Sequence, residues 1–334
     1  MRALVTASLW LGIAFQGSPA WVVLDSGVTA RLRGISAPSA RVVWASGTGG
    51  TVIRTTDAGQ TWQRRAIPGA EGLDFRDIDA FDENVAYALS IGNGEDSRIY
   101  RTSDGGETWT LQLANKDPKV FLDAMAFWSP DRGIAFSDSV DGRLVIFRTD
   151  DGKSWARIPA EALPPAVPEE GAYAASGTNV AVHGTQHVWI ATSRSRVLRS
   201  TDGGRTWSVA ATPIPSGSAS GIFSIAFRDE RHGVIVGGDY QKTSDAIDNV
   251  AITSDGGATW TLARGLTGYR SVVAHQTGTT WYAAGPTGVD ISVDDGKTWS
   301  PMGPMKDLHT FTFTRGGRSG WGAGERGRIV RLDP

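Results

Sequence analysis

Six short stretches set an acid, a glycine, a hydroxyl and a tryptophan at a fixed spacing. They are "TTDAGQTW" ending at Trp62, "TSDGGETW" at Trp109, "RTDDGKSW" at Trp155, "STDGGRTW" at Trp207, "TSDGGATW" at Trp260 and "SVDDGKTW" at Trp299. Read singly, such a string has the makings of a catalytic loop or a calcium turn. The calcium reading lacks the distal Glu and most of the other oxygen ligands that an EF-hand loop supplies. Other chemistry-bearing residues are sparse. His183 and His187 are four apart, but they flank a predicted hairpin, "HGTQH", rather than lying on a helix, so a metalloprotease arrangement does not apply. The chain has no cysteine, which removes disulfides, thiol catalysis and Cys-ligated metals together. No Ser sits in a G-x-S-x-G elbow, and "GTGG" at 47–50 lies between two predicted strands, where no dinucleotide-binding turn belongs. Neither a metal nor a cofactor is expected.

The repetition itself decides what positions these residues. Each stretch carries Asp five residues before Trp (Asp57, Asp104, Asp150, Asp202, Asp255, Asp294), and successive Trp residues are 47, 46, 52, 53 and 39 apart. That period is the size of one four-stranded propeller blade. Upstream of each stretch lie two short apolar runs, as in "DIDAFDENVAYAL" from Asp77 and "SIAFRDERHGVIVGG" from Ser224. Alternating runs of about five residues cut by Gly, Asn and Asp are strand and hairpin signals. Seven first strands are predicted, beginning near Leu32, Arg76, Leu122, Gly177, Ile222, Arg270 and Leu308. The last unit, 308–334, stops where its own repeat should begin, while "WVVLDS" opens at Trp21 as a lone strand. The expected fold is therefore all-β: a seven-bladed β-propeller of four-stranded antiparallel blades, with strand 21–25 closing the ring in the last blade and leaving no open edge. In such a blade the repeat falls in the hairpin between the third and fourth strands. Asp there accepts turn amides, Gly takes positive φ, and Trp covers apolar surface, so the six acids and Trp62, Trp109, Trp155, Trp207, Trp260 and Trp299 read as fold-stabilising.

Composition agrees with a single packed unit. Of 334 residues, 42 are Gly and 15 Pro, 40% are hydrophobic and 20% charged, and the net charge is −2, so turn-rich β structure is favoured over disorder. No basic run offers a nucleic-acid surface. Residues 1–20 read as a signal peptide: Met1-Arg2 is the charged end, Leu4 to Phe15 the short apolar stretch, and Ser18-Pro19-Ala20 the cleavage site. The stretch is too short to span a bilayer. The expectation is an exported protein, periplasmic or extracellular, with no membrane span after cleavage, folded as one monomeric propeller over 21–334.

With these residues in place, S/T-x-D-x-G-x-S/T-W resembles the Asp-box of sialidases, xyloglucanases, sortilin-type receptors and photosystem II stability and assembly factors. "HVWIATSRSRVLRSTDGGRTW" and "GWGAGERGRIVRL" are most similar to the last group and its exported bacterial relatives, often labelled "oxidoreductase". The resemblance spans the mature chain. It implies a propeller that binds a protein or a glycan, and it does not imply redox chemistry. Sialidases show an Arg-Ile-Pro motif before their first box, which "ARLRGISAPS" lacks.

Propeller geometry then ranks the loops. Hairpins joining second to third strands, and the links between blades, lie on the face opposite the boxes, and the long segments from Pro159, Ala211 and Gly238 all fall there. Long loops on a rigid scaffold are where binding concentrates. First-strand residues entering the channel from that face are Arg33, Arg76, Asp77, Asp123, Thr178, Arg270 and His309, with Asp138, Asp141, Asp239 and Tyr240 in nearby hairpins. Arg33, Arg76, Asp138, Asp239, Tyr240, Arg270 and His309 are the expected ligand or partner contacts. Asp77 and Asp123, on adjacent blades, form the candidate acid and base of a carbohydrate-active hydrolase or lyase, the alternative reading. A polar, water-filled channel would favour such residues in any case. Arg54, Arg101, Arg199 and Arg331 hold equivalent places and form a possible cationic strip, or else pair locally. The leading expectation is a non-catalytic binding scaffold.

Overall fold

A computed structural model describes residues 20–333. It is a ring of seven four-stranded antiparallel sheets. Blade one begins at Leu32–Ser36, and the first strands of blades two to seven are Asp74–Ala80, Leu122–Ser129, Val180–His183, Ser220–Phe227, Val272–Thr277 and Leu308–Phe313. The ring closes as the sequence implied: Ala20–Leu24 pairs antiparallel with Ile329–Asp333 and supplies the outer strand of blade seven. Trp21 packs edge-on against Phe311 there, with ring centroids 5.8 Å apart. The signal-peptide reading of 1–20 lies outside the described residues, save Ala20.

The repeated turns explain their composition. In blade one the Thr61 amide and hydroxyl donate to the two Asp57 oxygens at 2.9 and 2.6 Å, and Gly59 N–H donates to Thr55 at 2.9 Å. The same pattern recurs around Asp104, Asp202, Asp255 and Asp294. Blade three requires a correction. Its turn is one residue shorter, so Asp151, not Asp150, takes the Ser154 amide and hydroxyl, both at 2.9 Å. Asp150 instead pairs with Arg148 on the surface. The adjacent acids hid this shift: Thr149, whose hydroxyl receives Gly152 N–H, is six residues before Trp155, where its counterparts are seven before their Trp.

In blades one and four the tryptophan of the second strand ties its blade to the next. Trp44 Nε1 donates to Asp82 O at 3.1 Å in blade two, and Trp189 Nε1 to Gly256 O at 2.8 Å in blade five. The arginines opposite them in register do the same work. Arg54 lies over Trp44, Arg101 over Tyr87 and Arg331 over Trp321, each within 6 Å of the ring. Arg331 reaches Ala58 O at 3.0 Å in blade one, and Arg199 reaches Gly256 O at 3.3 Å in blade five. The arginine ladder is thus engaged in local stitching between blades.

Candidate functional site

A β-bulge recurs at one level of the ring. In blades one, two, three, five and seven the pairing of first and second strands skips one residue, and the skipped residues are Arg33, Arg76, Asp123, Phe223 and His309. A bulge adds an unpaired residue and re-aims its side chain, and such irregularities concentrate beside functional sites. Here four of the five, all but Asp123, line one cavity of about 470 Å³ at the channel mouth opposite the boxes. The sequence names three of these by position; Phe223 is missed, because it reads as an ordinary apolar strand residue.

The link from blade three to blade four does not loop outward. Residues 171–177, "GAYAASG", turn into the channel mouth and plug it. Arg33 Nη1 donates to Ala175 O at 3.1 Å and Arg76 Nη1 to Ala174 O at 2.8 Å. Ser176 donates to Ser271 O in blade six, and Thr310 in blade seven donates to Ser176 O. The small residues permit this threading: a Cβ on Gly171 would fall 1.6 Å from Asp138 Oδ1, and one on Gly177 2.4 Å from Asp77 Oδ1. The channel on this side is therefore a shallow recess floored by the plug, which corrects the expectation of an open water-filled tube.

Aromatic rings wall the recess. Tyr173 of the plug stacks on Phe223 at 3.9 Å with the rings 2° from parallel, and Tyr269 meets Phe223 edge-on at 4.7 Å. Tyr240, 46% exposed, stands edge-on to both stacked rings at 6.2 Å. Tyr173 OH donates to Ser220 O and Tyr240 N–H to Ala219 O, so the three long segments picked from the sequence converge on this recess. Burial and the neighbouring Arg76 lower Arg33 to about 10, which leaves it charged at neutral pH. Arg76 pairs with Asp74 at 2.9 Å. Burial, with Arg33 nearby, lowers His309 to about 4; it is neutral at pH 7 and bonded to Glu325 at 2.7 Å.

Several expected contacts are elsewhere. Arg270 is fully buried and paired with Asp290 at 2.7 Å, so it forms a core ion pair and does not line the recess. Its blade lacks the bulge at this level, and the strand begins only at Val272. Asp239 accepts Gln241 N–H in its own turn, and Asp141 pairs with Lys119 at 2.7 Å on the surface. Thr178 bonds Ser176 and Ser224 and faces the recess at the opposite mouth. Asp138 is half-buried, raised to about 6 by burial, and accepts Ala172 N–H at 3.3 Å under the plug.

The candidate acid and base are both beneath the plug. Asp77 is 6% exposed and accepts Met125 N–H at 2.7 Å; Asp123 is 0% exposed, with no hydrogen-bond partner for either oxygen among the described residues. Desolvation holds both carboxyls well above the usual range, aided at Asp123 by Asp138 and at Asp77 by Asp79. Neither lines the cavity.

The likenesses to known proteins follow the fold. No protein-family profile matches the chain. A xyloglucanase of a Paenibacillus species is 24% identical over 254 residues, covering 66% of this chain and 24% of the enzyme. Xyloglucanase Xgh74A of Acetivibrio thermocellus is 22% identical over 240 residues, covering 63% and 28%. The chain thus spans about a quarter of the length of these curated relatives. Among solved structures, YCF48 from Cyanidioschyzon merolae superposes with a TM-score of 0.69 at 20% identity, covering 94% of this chain and 99% of that one. YCF48 bound to D1 peptide gives 0.66 at 18%, covering 94% and 97%. A catalytically inactive virginiamycin B lyase from Staphylococcus aureus with quinupristin gives 0.70 at 12%, covering 95% and 100%. A binding protein and a lyase fit the ring about equally well, so these scores establish a shared seven-bladed propeller, and function must be argued from the site.

Proposed function

We propose that this chain is a non-catalytic, exported binding scaffold that presents the plugged face of its ring to a protein partner. The observation that carries the reading is the recess of about 470 Å³, where two arginines and a wall of aromatic rings meet an exposed Tyr240. Tyrosine and arginine are the residues that most often anchor protein interfaces, and a rigid ring offers them without loss of conformational entropy on binding. The likeness to YCF48 bound to D1 peptide supports a protein partner. The sequence resemblance to assembly factors points the same way. A hydrolase reading draws support from the xyloglucanase likenesses. Burial of Asp77 and Asp123 under the plug weighs against it, because a general acid or base must come within hydrogen-bond reach of its substrate.

Tyr240→Ala tests the binding reading. Partner capture from an envelope extract should fall at least tenfold while the melting temperature stays within about 1 °C, since the ring is half exposed. Unchanged capture defeats the proposal. Hydrolysis of xyloglucan that is lost in Asp77→Asn would establish the enzyme instead.

A further inference from the structure

Arg33 is a half-buried cation without a counter-ion. Its Nη1 is spent on Ala175 O, its Nε is shielded from solvent with no partner, and no carboxylate pairs with it among the described residues. The neighbouring charges are already answered. Asp74 holds Arg76, and Glu325 holds Arg31 while bonding the neutral His309. Buried charges in proteins are paired, so one unit of positive charge in this recess is left for something that is not part of the chain.

We propose that Arg33, assisted by Arg76, receives the carboxylate of a ligand whose ring-bearing or alkyl body lies against Tyr240 and Phe223. This rests on the binding reading above and names the group that is bound. Guanidinium groups match carboxylates and phosphates alike in geometry. The charge decides between them: a carboxylate neutralises the single open charge, whereas a phosphate monoester, near −2 at neutral pH, would leave a second charge uncompensated against apolar walls that include Phe121, Ala172 and Pro286. Beside the charge, the exposed face of Tyr240 offers a flat apolar surface suited to a ring. The carboxylate has two possible sources, a free small acid and the end of a partner's chain.

Calorimetric titration of the full protein with phenylacetate, phenylacetamide and inorganic phosphate tests the assignment. Phenylacetate should bind saturably, and the amide, of the same shape without the charge, roughly ten- to a hundredfold more weakly, the range expected for losing charge-assisted hydrogen bonds. Arg33→Gln should weaken phenylacetate by the same factor. Should loss of the Ala175 contact unfold that variant, Arg33→Lys keeps the charge but loses the planar fork and should weaken binding tenfold in a folded protein. A short peptide ending in Phe, compared as free acid and as C-terminal amide, separates the sources: preference for the free acid assigns the site to a chain end, and binding of phenylacetate alone assigns it to a small acid. Equal binding of acid and amide, phosphate binding as tight as phenylacetate, absence of carboxylate binding, or indifference to both Arg33 variants overturns the proposal. Partner capture that survives loss of carboxylate binding would sink this inference alone; carboxylate binding without a protein partner would sink the scaffold reading alone.

Discussion

Replacing Asp123 by alanine should stabilise the protein, and the gain should grow as pH rises. The side chain is fully buried on the first strand of blade three, and neither carboxyl oxygen has a hydrogen-bond partner among the described residues. A buried polar group left unsatisfied costs about 1–3 kcal/mol, against which the small void left by Asp→Ala costs about 1 kcal/mol or less. The expected gain in mildly acid solution is therefore about 1–2 kcal/mol. At roughly 2.1 cal/mol/K of unfolding entropy per residue, that is a rise in Tm of roughly 1–3 °C for a chain of this size. The pH dependence follows from the direction of the shift. Desolvation, and then Asp138, raises the folded carboxyl well above its usual value. Stability that the protonated form lends is present in full below the unfolded value of about 3.9 and is lost as pH rises through the folded one. Over that window each pH unit should widen the gap between mutant and wild type by about 1.4 kcal/mol, or roughly 2 °C. Asp77 titrates in both proteins, so the difference reports Asp123 together with its coupling to Asp138. Differential scanning calorimetry at pH 4.5, 6 and 7.5 measures it. A mutant that melts lower, or a gap that does not change with pH, would show that the carboxylate has a partner and that the burial argument is wrong.

Three further outcomes are expected. In blade three Asp151→Ala should lower the melting temperature more than Asp150→Ala, because Asp151 takes the turn amides while Asp150 makes only exposed ion pairs, with Arg148 and Arg132; thermal melts of the two variants compare them directly. Removing residues up to Leu24 takes the outer strand from blade seven, exposes an unpaired edge and uncovers Phe311; the loss should be about 3 kcal/mol, with association visible on size-exclusion chromatography. In acid, Asp57 and Asp104 are held at about 2, chiefly by the hydroxyl and then the amide of Thr61 and Thr108. Their contribution is present above about pH 4 and is lost as pH falls through 2, so Asp57→Asn should flatten the acid limb of denaturant-unfolding stability between pH 4 and 2.

The ring was legible because its information is periodic. Six turns in register count the blades, and a truncated last unit beside the lone strand at Trp21 tells how the ring closes. What escaped was aperiodic. Adjacent acids at Asp150 and Asp151 concealed a one-residue deletion that only hydrogen bonding reveals. The "GAYAASG" segment carries no sign of direction; its small residues allow it to thread into the channel, but that preference depends on Asp77 and Asp138 lying below it. Arg270 and Asp290 are twenty residues apart, one just before the first strand of its blade and the other in the third, so their buried pairing was invisible. The bulge level that gathers Arg33, Arg76, Phe223 and His309 breaks strand alternation by one residue, which a reading of alternation alone cannot register.

A photo-crosslinking phenylalanine analogue placed at position 240, compared with the same analogue at position 293 among the boxes on the opposite face, asks directly which face meets a partner. Tyr240 and Val293 are both exposed, at 46% and 67%, so accessibility does not bias the comparison toward the recess. A single adduct from position 240, absent from position 293 and lost in Arg33→Gln, is the predicted result. Equal trapping from both faces, or no adduct from position 240, would contradict a binding role for the plugged face, whereas an adduct at 240 that is indifferent to Arg33 would overturn the carboxylate assignment alone.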